Sequence, residues 1–306
     1  MSRIHDALKK AEQERADGFG SGTPNLPEEP EAPAFSGAEE PGRADGPPAR
    51  ALLQTLRGTG PVGDDGVLTD STGTVWRPDP RSLLFTEGKV RPLGTEEFRT
   101  LRTRLTQMRE KLPLQTILVT SALPGEGKTF VSANLAQAFA QQSGRRVLLV
   151  DGDLRLPYLH SLLGTAQNPG LSDFLRGEAE PHDVVQRNSS ENLYFIPAGK
   201  PPSDPIELLG NGRLKGLLHR LAPLFDWIIL DSPPCVPLSD ASLLADFCDG
   251  VLMVVKAGKT PFDVAQKGSR ELRERHLLGV VLNQVAPQMA YSAYYYGADQ
   301  NTAKGK

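Results

Sequence analysis

Six short runs of the sequence, TILVTSA, RVLLVDG, LYFIPA, WIILDSPP, VLMVVKA and GVVLNQV, are apolar, rich in β-branched and aromatic residues, and separated by stretches of helical periodicity. A strand with one face in water alternates apolar and polar residues, whereas a run that does not alternate needs cover on both faces. Helices on both sides of a parallel sheet supply that cover. TFVSANLAQAFAQQ, LKGLLHRLA, SDASLLADFC and FDVAQKGSRELRER are patterned to provide it. The chain is therefore expected to be α/β, a doubly wound and mainly parallel sheet. A further helix should begin in GTEEFRTLRTRLTQMREKL, with Thr95 as its N-cap, Glu96 and Glu97 at the positive end, and Phe98, Leu101, Leu105 and Met108 on one face turned to the core.

Not all of the 306 residues can join that sheet. Residues 16–73, as in GSGTPNLPEEPEAPAF, are so rich in Pro, Gly and acids that they cannot bury enough apolar surface to offset chain entropy, and are expected to be a disordered linker. Residues 1–15 place Ile4, Leu8 and Ala11 on one face of a short amphipathic helix. The packed domain should span 74–289, followed by a flexible tail, 290–306. No stretch approaches the roughly 20 apolar residues that cross a bilayer, and the N-terminus lacks the apolar core of a secretory signal, so a cytoplasmic protein is expected. A net charge of -3 argues against a generic nucleic-acid partner. Cys235 and Cys248 show neither metal nor redox spacing, and His160, His182, His219 and His276 have no partner at metal spacing.

Between the first apolar run and the first helical pattern lies ALPGEGKT, residues 122–129, which fits the P-loop pattern except for alanine at the first glycine position. In such a loop, backbone amides and the following helix N-terminus surround a polyphosphate. Gly125 and Gly127 allow the close approach, Lys128 brings positive charge to the phosphates, and Thr129 offers a hydroxyl to Mg²⁺. A bound Mg²⁺ also needs carboxylates, and Asp151, Asp153 and Asp231 each close an apolar run at the carboxyl end, where ligands of open α/β sheets collect.

VDGDLRLP and ILDSPP resemble the second acidic box and the Walker B box of the bacterial tyrosine kinases of capsule and exopolysaccharide assembly, the CpsD/CapB type, whose wider relatives are the MinD and ParA ATPases. The likeness covers about residues 90–297 and includes NPGLSDFLRGE and PAGKPPSDPIELL. It implies a cytoplasmic autokinase that moves the γ-phosphoryl of ATP, with Mg²⁺, to tyrosines of a neighbouring subunit and so regulates polysaccharide polymerisation and export. By the same resemblance, Pro124, Gly125, Glu126, Gly127, Lys128, Thr129 and Phe130, with Arg155 and Asn283, hold the nucleotide. Lys128, Asp151, Asp153 and Asp231 do the catalytic work, and Thr129, Asp153 and Asp231 serve the metal. Asp151 is the candidate acceptor of the tyrosine proton. Read from the residues alone, Arg155 either contacts phosphate or pairs with an acid, and Asn283 either lies near adenine or is a strand-end turn residue.

Three features separate this reading from a MinD/ParA-like positioning ATPase and from a non-catalytic nucleotide-gated adaptor. Leu123 stands where the MinD and ParA loops carry an extra lysine. Glu96, Arg99 and Arg102 reproduce the Glu-x-x-Arg-x-x-Arg motif that in the kinase family supports a ring; by spacing alone they are solvated helix charges. Tyr291, Tyr294, Tyr295 and Tyr296 cluster beyond the last apolar run, as phosphoacceptors would. The resemblance further implies a separate membrane-embedded chain-length regulator as activator, peripheral recruitment to the inner face of the membrane, and room for a cognate tyrosine phosphatase.

Overall fold

The computed structural model describes residues 73–78, 82–85, 94–188 and 192–285. The expected helix 1–15, residues 16–72 of the expected linker and the tail 290–306 lie outside them. Strands β1 (Gly73–Thr74), β2 (Thr116–Ser121), β3 (Val147–Asp151), β4 (Gln186–Asn188), β5 (Leu193–Ile196), β6 (Trp227–Asp231), β7 (Gly250–Lys256) and β8 (Leu277–Asn283) form one sheet in the order β1-β4-β5-β3-β6-β2-β7-β8. Every neighbouring pair is parallel except β4 with β5. The helices are α1 (Thr95–Arg109), α2 (Lys128–Ala140), α3 (Leu159–Leu163), α4 (Leu171–Arg176), α5 (Pro181–Val184), α6 (Pro205–Gly210), α7 (Arg213–Leu221), α8 (Asp240–Ala245) and α9 (Phe262–Leu272).

The six apolar runs are β2, β3, β5, β6, β7 and β8. The first five are buried at almost every residue, as the missing alternation requires. Successive residues point to opposite faces and feed two cores. Ile117, Val119, Leu149 and Ile229 pack with α1 and α2, whereas Leu118, Leu148, Val150 and Leu230 pack with α4, α6, α7, α8 and α9. Truncating one of these, as in Leu149→Ala, should cost about 2–5 kcal/mol. β8 departs from the expectation, with Val280 and Leu282 49% and 64% exposed. Among the described residues it ends the sheet and pairs only with β7, so an apolar sequence there does not mean cover on both faces.

Helix α2 is buried at every residue from Val131 to Ala140, because the sheet lies under it and α1 over it. α1 turns Phe98 and Leu105 into the core, with Leu101 and Met108 partly buried beside them. Its cap is Gly94, at a left-handed φ of 103°, and not Thr95, which is the first helical residue and is itself buried. The entry angle demands a positive φ that threonine would adopt only under strain. Gly73, the first of the described residues, pairs with Arg187. Trp76 then packs edge-on against Phe195, with ring centroids 6.1 Å apart.

Candidate active site

The carboxyl ends of β3, β6, β2 and β7 lie side by side, and the P-loop leaves β2 among them. Gly125 and Gly127 have φ of 78° and 91°, a region that other residues enter only with strain. A Cβ on Gly127 would stand 2.1 Å from Asn283 Nδ2, so any side chain here would also displace Asn283. Gly127 precedes α2 as its cap and offers no side-chain acceptor, which leaves the first-turn amides to an anion.

Lys128, the first residue of α2, donates from Nζ to Asp153 Oδ2 at 2.8 Å and to Thr129 Oγ1 at 3.1 Å, and lies 3.5 Å from Asp231 Oδ2. Thr129 Oγ1 donates to Asp231 Oδ2 at 2.8 Å. β3 and β6 pair in register with Asp151 opposite Asp231, so two carboxylates face the same end of the sheet on adjacent strands. Asp151 accepts the amides of Asp153 and Leu159, both at 3.2 Å, and Asp153 accepts the amide of Leu156 at 3.0 Å. Gly152 allows this turn, because a Cβ there would come within 2.6 Å of the Asp231 carbonyl oxygen. The structure thus brings Lys128, Thr129, Asp153 and Asp231 into direct contact, with Asp151 anchored beside them.

Asp151, Asp153 and Asp231 are at most 4% exposed, so three carboxylates are gathered around one ammonium. Burial, reinforced by the charge of Asp231, pushes Asp151 well above the ordinary carboxylate range, against the pull of Lys128. Burial raises Asp231 too, although Lys128 and the hydroxyls of Thr129 and Ser132 oppose the shift. Burial works against the charge of Lys128, but Asp231 and Asp153 outweigh it and hold the ammonium above its usual range. An excess of buried negative charge is a costly arrangement that an added cation relieves. Thr129, Asp153 and Asp231 offer the hard oxygen donors that suit Mg²⁺. Among the described residues no three His, Cys, Asp or Glu side chains form a metal cage by themselves.

Ser132 escaped the sequence reading. Its hydroxyl donates to Asp231 Oδ1 at 2.8 Å, so hydroxyls three residues apart on α2 hold both oxygens of that carboxylate. The i, i+3 spacing from Thr129 was the available signal. Arg155 takes the acid-pairing option, forming a bidentate pair with buried Asp240 at 2.8 and 3.0 Å, and the hydrogen bonds to that carboxylate raise its pKa. Asn283 Nδ2 donates to the Glu126 carbonyl oxygen at 2.8 Å, which sets the end of β8 against the P-loop. Phe130 packs edge-on against Phe98 at 5.9 Å, and Pro124 and Glu126 complete the loop.

The Glu-x-x-Arg-x-x-Arg residues divide. Arg99 pairs with Glu96 at 2.6 Å on the surface of α1, whereas Arg102 donates to the Ala138 carbonyl oxygen at 2.6 Å, near the C-terminal end of α2. Burial, together with the charge of Arg99, lowers the Arg102 pKa from its usual value. Tyr291, Tyr294, Tyr295 and Tyr296 lie outside the described residues.

A family model described as the CobQ/CobB/MinD/ParA nucleotide binding domain matches residues 117–304. The chain is 34% identical over 221 residues to the tyrosine-protein kinase YwqD of Bacillus subtilis, covering 72% of this chain and 92% of that protein. It is 37% identical over 222 residues to the putative tyrosine-protein kinase AmsA of Erwinia amylovora, of which it spans only 30%. Among solved structures, the chimerical protein CapA2B2 superposes with a TM-score of 0.63 at 30% identity, over 73% of this chain and 99% of that one.

Proposed function

This chain belongs to the bacterial tyrosine-protein kinases of the MinD/ParA-like nucleotide-binding superfamily, and on that premise we propose that it transfers the γ-phosphoryl group of ATP to tyrosine hydroxyls, those of its own C-terminal segment included. The observation that carries this reading is the junction of Lys128 with Asp153, Asp231 and Thr129 at the mouth of the P-loop. In the reaction, the bond between the γ-phosphorus and the β,γ-bridging oxygen breaks, ADP leaves with the electron pair, and the phenolic oxygen bonds to phosphorus. Lys128 and the loop amides hold the phosphates and stabilise charge on the transferring group. Asp151, opposite Asp231 on the adjacent strand, receives the phenolic proton. Thr129, Asp153 and Asp231 would hold Mg²⁺, which would supply further neutralisation of phosphate charge. Arg155 is committed to Asp240 and reaches the phosphates only by giving up that pair.

Our reading extends to assembly and place. Glu96 and Arg99 present the exposed half of the motif through which subunits form a ring, so that the tyrosines 291, 294, 295 and 296 of one copy enter the site of the next. A separate membrane-embedded polysaccharide chain-length regulator activates the kinase at the inner face of the membrane, with residues 1–73 as the tether. No helix of the described residues is long and apolar enough to cross a membrane.

The test is to incubate the protein with Mg-ATP and map phosphotyrosine by mass spectrometry, beside Lys128→Met and a variant with the four tail tyrosines changed to Phe. The cytoplasmic segment of the regulator is added in a parallel arm. Tail phosphotyrosine in the wild type, lost in both variants, is expected. ATP hydrolysis with no labelled tyrosine in either arm would replace the kinase with a positioning ATPase, and binding without turnover would replace it with an adaptor.

A further inference from the structure

Glu126 sits between the two left-handed glycines of the P-loop, a place where a charged side chain would ordinarily reach into water. Instead it is 3% exposed. Among the described residues it has no ion-pair partner, yet its carboxylate is surrounded by donors. Oε2 accepts the Leu123 amide at 2.7 Å, and Oε1 accepts the Thr260 hydroxyl and, at 3.5 Å, the Lys256 amide. Thr260 Oγ1 in turn accepts the Lys256 amide at 3.0 Å. The first bond closes the loop on itself across three residues. The others fasten it to the turn between β7 and α9, while Asn283 holds the Glu126 carbonyl from the end of β8.

Burying a carboxylate without a cation is costly unless donors satisfy it, so this side chain is held in place by its surroundings. An anion site made of backbone amides works only if those amides already point inward. Ordering them at the moment of binding would subtract from affinity. We propose that Glu126 is a positioning residue for nucleotide binding: through a carboxylate bound to the protein itself, it braces the P-loop against Thr260 and Lys256 and keeps the loop amides in their anion-facing arrangement. The inference rests on the nucleotide-binding reading of the loop and not on the kinase reading. Coupling is reciprocal, so nucleotide must also steady the turn at residues 256–260.

Glu126→Gln keeps the size of the side chain but replaces one acceptor by an amide NH2 that faces a donor. Magnesium ADP binding is measured by calorimetry for the wild type, Glu126→Gln, Thr260→Val and the double variant, with hydrogen exchange followed at Lys256 and Thr260. Loss of one charge-assisted hydrogen bond predicts affinity weakened about tenfold in Glu126→Gln, less in Thr260→Val, and no further in the double variant than in Glu126→Gln, since both cut the same brace. Steady-state kinetics should show a raised KM for ATP with kcat nearly unchanged, a split that general unfolding would not produce. ADP should slow exchange at the turn in the wild type and fail to do so in Glu126→Gln. Wild-type affinity in Glu126→Gln, or additive losses in the double variant, would overturn the brace. If Glu126→Gln does not fold, Thr260→Val decides alone, and an unaltered affinity there overturns it equally. A wild type that binds no ADP would remove the nucleotide reading and the brace together, whereas ADP binding without tyrosine phosphorylation leaves the brace standing.

Discussion

The two ends of one sheet treat their carboxylates in opposite ways. At the amino ends, Asp226 accepts the Arg146 amide at 2.9 Å and the Arg145 guanidinium at 2.6 Å, and Asp249 accepts the amides of Gln115 and Thr116 at 2.8 and 2.7 Å. Burial works against the charge of Asp226, but those donors outweigh it and hold its pKa below the ordinary range. At the carboxyl ends, Asp151 and Asp231 are buried against each other and pushed the opposite way. One end ties β2, β3, β6 and β7 together with satisfied charges. The other gathers three buried carboxylates around one ammonium, as expected of sites where function opposes stability.

The largest effect should come from the carboxyl end. Lys128→Met should lower the phosphoryl-transfer rate per folded molecule by about 10³-fold and should also cost stability, because it leaves the buried Asp153 and Asp231 without their ammonium. An unchanged rate per folded molecule would erase the distinction between the ends. Asp226→Ala should leave the rate per folded molecule unchanged while costing about 1–2 kcal/mol in urea unfolding.

The pH dependence sharpens the contrast. A carboxyl whose folded pKa is raised favours the folded state while protonated, and that contribution is lost as pH rises from the unfolded value through the folded one. The Tm of Asp151→Asn minus that of the ligand-free wild type should therefore grow, by about 2–4 °C, from pH 4 towards neutrality. For Asp226, the pKa lowered in the fold gives the opposite sign. Its contribution is present above the unfolded pKa and is lost as pH falls through the folded one, so the advantage of wild type over Asp226→Ala should shrink on acidification. The smallest effect belongs to the exposed pair on α1, where Arg99→Ala should change stability by less than about 0.5 kcal/mol. Sedimentation of the same variant reports whether it disturbs assembly.

The sheet was legible because β2, β3, β5, β6 and β7 have interiors that cannot face water, and the acids gathered beside the P-loop were legible because they close two such runs, β3 and β6. β1 and β4 were not. They are two and three residues long, and Gln186, Arg187 and Asn188 carry no apolar pattern; pairing with neighbours makes them strands. Partnerships across long stretches of chain were equally hidden. Arg155 finds Asp240 85 residues away and Glu126 finds Thr260 134 residues away, neither of which local spacing encodes. The cover over β8 was overstated because a one-sided edge strand can have the same apolar sequence as a central one.

The most direct measurement is a crystal structure with ADP and Mn²⁺, whose anomalous signal marks the metal. The account predicts one Mn²⁺ beside Thr129, served by Asp153 or Asp231 directly or through water, with Lys128 Nζ moved from Asp153 to the phosphates. Phosphates bound away from the P-loop, or a metal remote from all three acids, would contradict it.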